Sequence, residues 1–220
     1  MKKMFVAVAV ALLSVTSVSS ADEAKKAPDK AAEEAPAKIF IYVPKASDIV
    51  IGQDNAPLTV LEYASLSCPH CAHFFMDTLP KLDAKYIKTG KVRLVYRDYP
   101  LNSSALKGAM LLQCVDKDRR HEFLTVLFKM QDKWAFGANY IEALSNIAAF
   151  GGFERARFNQ CIDNKKVEEA ALQVAKEASD IYKIEGTPTF FINGTKMKGE
   201  TDIDGLSKVI DAALAAQTKK

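Results

Sequence analysis

The run LTVLEYASLSCPHCAHFF, residues 58–75, restricts the possible folds more than any other stretch. Six of its first eight residues are β-branched, aliphatic or aromatic, which suits a buried strand. A few residues later the chain must enter a helix, because Pro69 fits best at a first helical position, where its missing N–H would go unpaired anyway. Cys68 then stands at the N-cap, and Cys71 lies one turn inside on the same face. Helical spacing continues through Phe75, Leu79, Leu82 and Tyr86, with a kink expected at Pro80 and a C-terminal cap at Gly90. VRLVYRDYP reads as the next strand, so residues 58–99 form a β-α-β unit.

Around this unit, IFIYV (residues 39–43) predicts a short first strand. From Asn102 to about Tyr182 every periodic segment is helical, punctuated by Gly137 and Gly151–Gly152. Strand character returns at TPTFFING, where Asn193–Gly194 is a two-residue hairpin turn into TKMKG. IDGLSKVIDAALAA closes the chain as an amphipathic helix after Thr201 and Asp202. The order implies an α/β scaffold, residues 39–101 and 183–216, that hosts an all-helical insertion over 102–182.

The first 21 residues have the pattern of a secretory signal peptide: Lys2 and Lys3, an apolar stretch from Met4 to Leu13, and small residues ending at Ser19 and Ala21. The apolar core is about half the ~20 residues a membrane span requires. No cysteine follows that would accept a lipid. Residues 22–38 are alanine, proline and charge without an apolar face, and read as a flexible linker. Without Lys2 and Lys3 the 30 basic residues become 28 against 27 acidic ones, a net of +1. The charges are dispersed, so nucleic acid is a poor partner. All four cysteines, Cys68, Cys71, Cys114 and Cys161, lie in the exported part, where an even count favours pairing over free thiols.

At a helix start, a sulfur faces unpaired backbone N–H groups and the positive end of the dipole, which stabilise a thiolate. Cys68 is therefore the exchanging sulfur and Cys71 the better-buried resolving one. A partly protonated His70 imidazole between the sulfurs, or its N–H donated to the thiolate, favours the dithiol and makes the pair an oxidant. Cys68, His70, Cys71 and His73 are all potential zinc or copper ligands. However, the other histidine, His121, stands seven residues after Cys114, which is not a metal-site spacing. Neither a metal nor another cofactor is expected. His73 falls one turn further along the helix. A purely structural Cys68–Cys71 bridge would close too little chain to stabilise much.

The strand leading into CPHC, the helical block and EGTPTFFING together resemble the DsbA family of thioredoxin-fold disulfide oxidases, most closely its bacterial periplasmic members. The likeness runs from about Asp48 to Ala215. The resemblance implies a thioredoxin fold and a cis Thr187–Pro188 bond packed against Cys68. It also implies that the Thr187 backbone pairs with an incoming peptide strand, with its hydroxyl within reach of the Cys68 sulfur. An acid at the position of Glu62 would take a proton from the resolving thiol, usually beside a lysine on the neighbouring strand. Here that strand offers only Arg93, Tyr96 and Arg97, which leaves the partner of Glu62 open and allows for a partly solvated carboxylate. Cys114 and Cys161 are either two buried thiols or a second disulfide, which α-proteobacterial members are similar in carrying.

The expected function is periplasmic thiol:disulfide oxidation. A monomer would pass the Cys68–Cys71 disulfide to reduced exported proteins through a mixed disulfide at Cys68, and a DsbB-like membrane oxidase would reoxidise it. An isomerase or reductase on the same scaffold, a metal-delivery module and a redox-silent adaptor are the rival readings.

Overall fold

A computed structural model describes residues 42–217, so the signal peptide and linker expected over 1–38 lie outside the described residues. Five strands form one sheet: β1 (Ile49–Ile51), β2 (Leu58–Ala64), β3 (Val92–Asp98), β4 (Thr189–Ile192) and β5 (Thr195–Lys198). Their order is β1-β3-β2-β4-β5, with β2 and β3 parallel and the other pairs antiparallel. The mixed sheet and its helices form a thioredoxin fold with a helical insertion. Of the first strand expected over residues 39–43, residues 39–41 lie outside the described residues, Tyr42 and Val43 are not in a strand, and the described edge strand is the three-residue Ile49–Ile51. So short a run carries no readable alternation.

Between β2 and β3 the chain is helical from Pro69 to Ile87, as α1 (Pro69–His73), a π-turn (Phe74–Thr78), α2 (Leu79–Leu82) and a second π-turn (Asp83–Ile87). Pro80 has no N–H and its ring crowds the carbonyl four residues back. The π-turn just before it takes up the misfit, with the Leu79 N–H reaching the Phe74 carbonyl five residues back. The helix ends at Ile87, and Gly90, at φ +71°, lies in the turn beyond it.

The insertion contains α3 (Ser103–Cys114), a 3₁₀ turn (Lys117–Arg119), α4 (Arg120–Lys129), α5 (Gln131–Trp134), α6 (Tyr140–Phe150), α7 (Arg155–Ile162) and α8 (Lys165–Tyr182). α9 (Ile203–Gln217) follows β5. Polar caps fix the starts: Asn102 accepts from the Ala105 N–H at 2.9 Å, and Asp202 accepts from the Gly205 N–H at 2.8 Å. Asn193 and Gly194 have φ of 48° and 84°, the positive values a two-residue hairpin turn requires.

The alternation of β2 and β3 divides the core. Leu58, Val60, Glu62 and Ala64, with Leu94 and Tyr96, face the helix that carries the CPHC motif. Leu61, Tyr63 and Val95 face the end of α8 through Ala178 and Tyr182. On the α8 face Arg97 donates to both Asp48 oxygens at 2.7 Å and to the Tyr63 hydroxyl at 3.1 Å, tying the β1 loop down. On the other face Gly108 lets α3 press against the loop before Cys68. A Cβ there would stand 2.9 Å from Leu66 and Trp134 side-chain atoms.

Candidate active site

Cys68 has extended backbone, φ −87° and ψ 119°, and Pro69 starts the helix behind it. The sulfur thus sits at the open end of a helix, and its surroundings favour ionisation. Its pKa is lowered from 9 to about 5, first by the hydrogen bond from the Cys71 thiol, then by Thr187 and the backbone N–H groups of Cys71 and His70, against an opposing effect of burial. Cys71 is fully buried, and burial, the bond to Cys68 and the nearby Glu62 raise its pKa far above the usual thiol range. Both are free thiols in this structure, not joined in a disulfide.

The distant half of the site arrives with the loop before β4. The Thr187–Pro188 bond is cis, and the Cys68 thiol donates to the Thr187 carbonyl at 3.2 Å. The Thr187 hydroxyl is buried and has no hydrogen-bond partner among the described residues, so it is free to donate to the ionised sulfur. A groove of about 260 Å³ runs along this loop, between Glu185 and Gly199. Gln131 of the insertion braces the backbone leading into Cys68, its amide donating to the Leu66 and Cys68 carbonyls at 2.8 and 3.0 Å.

Glu62 is two residues from the end of β2 and 1% exposed, so it is not solvated. Among the described residues neither carboxyl oxygen has a hydrogen-bond partner, and burial first, then Cys68, raises its pKa well above the usual carboxyl range. None of the neighbouring side chains named from sequence is bonded to it. Arg93 donates to Thr59 and the Asp54 carbonyl, and Arg97 to Asp48 and Tyr63, both on the α8 face. Tyr96 stands beside Glu62 in the register, but its hydroxyl donates to Asp98 at 2.7 Å.

His70 departs from its expected position. Its backbone N–H helps the sulfur, while its ring turns outward, 66% exposed, with Nδ1 2.6 Å from a Glu200 oxygen. His73 Nδ1 pairs with the other Glu200 oxygen. No group of three or more potential metal ligands converges among the described residues. Cys114 and Cys161 are joined by a disulfide between α3 and α7. Sequence reading missed Gln131 and Glu200. Both act across more than 60 residues of chain, and no local pattern marks them.

Comparison with known proteins agrees with this architecture. The family described as "Thioredoxin" matches residues 45–212. A Rickettsia prowazekii protein, named provisionally as a protein-disulfide oxidoreductase, is 34% identical over 175 residues, 79% of this chain and 64% of its own length. This chain therefore spans somewhat less than two thirds of that relative. A Bacillus anthracis protein, provisionally named disulfide bond formation protein D, is 28% identical over 80% of this chain and 82% of its own. The crystal structure of Wolbachia pipientis alpha-DsbA1 superposes with a TM-score of 0.72 at 31% identity, covering 79% of this chain and 94% of that one. The chain belongs to the DsbA family of thioredoxin-fold thiol:disulfide oxidoreductases.

Proposed function

We propose that this protein is an exported thiol:disulfide oxidase, working in the periplasm as a monomer. One observation carries the reading: two thiols three residues apart are held in opposite states, Cys68 ready to ionise and Cys71 buried as a thiol. A couple whose dithiol form is stabilised gives up its disulfide readily.

In the oxidising direction a substrate thiolate attacks the Cys68 sulfur of the Cys68–Cys71 disulfide. A substrate–Cys68 bond forms and Cys71 leaves. Cys71 must collect a proton, and Glu62, kept uncharged by burial and near enough to Cys71 to affect its ionisation, would supply it. A second substrate thiolate then attacks the substrate sulfur of the mixed disulfide and expels Cys68 as a stable thiolate. Two electrons pass to the protein and the substrate keeps a disulfide. The Thr187 edge would hold the peptide by strand addition during both attacks.

Reoxidation falls to a membrane oxidase of DsbB type. Among the described residues no helix is long and apolar enough to cross a membrane, and the N-terminal pattern supports export. Equilibration of the purified protein with glutathione, alongside oxidation of a reduced model protein, tests the proposal. An oxidising couple that transfers its disulfide is expected. A couple as reducing as a thioredoxin, with no net disulfide transfer, would point to a reductase.

A further inference from the structure

Glu200 follows β5 and lies 130 residues from His70 in sequence, yet its carboxylate joins the two histidines of the CPHCAH segment. One oxygen is 2.6 Å from His70 Nδ1, the other pairs with His73 Nδ1, and His73 Nε2 is 3.3 Å from Asp77. An ionised carboxylate only accepts hydrogen bonds, so both ring nitrogens donate to it. Glu200 is ionised at neutral pH, since the His70 bond and then the neighbouring histidine charge hold its carboxyl below the usual range.

The residue before it completes a circuit. The Gly199 N–H donates to the Pro188 carbonyl at 2.9 Å. Pro188 is bonded to Thr187, whose carbonyl takes the Cys68 thiol at 3.2 Å, and Cys68 is two residues from His70. Contacts thus run from the sulfur through the cis-proline loop and Gly199 to Glu200, then back through His70 to the helix start. Glu200 is the link that closes this ring on its exposed side.

We infer that Glu200 is a positioning residue for the redox pair, tying the start of the CPHC helix through His70 to the Thr187–Pro188 loop so that both stay against the Cys68 sulfur and the dithiol form is favoured. The inference rests on the reading of Cys68–Cys71 as the working couple. Two effects act in the same direction. An imidazole that donates to a carboxylate keeps a fixed, polarised ring at the helix start, and the closed ring keeps the Thr187 donor at the sulfur. A third effect opposes them, since Glu200 is itself a negative charge near a thiolate. The two direct ring contacts favour the first pair of effects.

The test is the glutathione equilibrium of the wild type beside Glu200→Ala, Glu200→Gln and Glu142→Gln. The last breaks only the exposed Glu142–Arg155 pair in the insertion. Glu200→Ala is expected to move the equilibrium about fivefold toward the disulfide form, about 20 mV less oxidising. Glu200→Gln, which keeps a single acceptor oxygen, should recover part of that shift, and Glu142→Gln should match the wild type. A shift of less than twofold for Glu200→Ala, or one toward the dithiol form, overturns the inference and leaves the oxidase reading intact. A wild type that does not exchange with glutathione overturns both.

Discussion

The two cysteine pairs occupy opposite ends of their helices, and this placement separates their chemistry. Cys68 caps the start of α1, where N–H groups and the Cys71 thiol favour a thiolate. Cys114 is the last residue of α3, and Cys161 the second-to-last of α7. There the negative end of the helix disfavours a thiolate. Breaking a disulfide releases thiolates, so the first pair is placed to exchange and the second to hold. The chain enclosed differs as well. Cys114 and Cys161 are separated by 47 residues, and closing such a loop stabilises a fold by about 4 kcal/mol in the chain-entropy description. The Cys68–Cys71 ring is too short to contribute on that scale.

The largest expected effect is on turnover. Cys68→Ser should reduce disulfide transfer to background, while the Cys114→Ala/Cys161→Ala double variant keeps it. A dithiol oxidation assay on both proteins decides, and turnover lost only in the double variant would reverse the assignment. The double variant should instead lose about 2–4 kcal/mol of stability in urea unfolding, to a similar extent whether the Cys68 pair is oxidised or reduced. An unchanged midpoint would remove the holding role.

A pH series sharpens the contrast further. The Cys68 pKa is depressed from 9 to about 5, so the stabilisation it gives the reduced protein is fully present above pH 9. It shrinks as the pH falls and is gone below about 5. At pH 7 it is on the order of 3 kcal/mol. Reduced protein should therefore lose stability between pH 7 and pH 5 in excess of any change in the oxidised form, as measured by thermal unfolding of each. The smallest effect concerns Glu62. A buried carboxyl with a raised pKa costs stability as the pH rises toward that pKa. Glu62→Leu should thus stabilise the fold by about 1 kcal/mol at pH 8 and less at pH 5, while slowing release of Cys71. Destabilisation at pH 8 would show that Glu62 has a partner in solution.

What the sequence disclosed follows the range of the forces involved. Pro69 beside Cys68, the β-α-β unit and the Asn193–Gly194 turn are local, set by backbone preferences within a few residues, and each was legible. β1 was not, because three residues give no periodicity and its place depends on pairing with β3 and on Arg97 holding Asp48. The direction of the His70 ring was misjudged for a similar reason. Its partner Glu200 is an ordinary surface acid in sequence, and only the return of the hairpin brings it to the helix start. Arg93 and Arg97 were candidates for Glu62 until strand alternation placed them on the opposite face.

Titration of the reduced protein, followed by thiolate absorbance with Cys71→Ala as the single-thiol reference, tests the central claim most directly. Cys68 in the intact pair should ionise near pH 5 while Cys71 stays protonated throughout the accessible range. Removing Cys71 should raise the Cys68 midpoint, because the Cys71 hydrogen bond is the largest cause of the shift. A Cys68 midpoint between 8 and 9 in the wild type, near the unperturbed thiol value of about 8.5, would contradict the account.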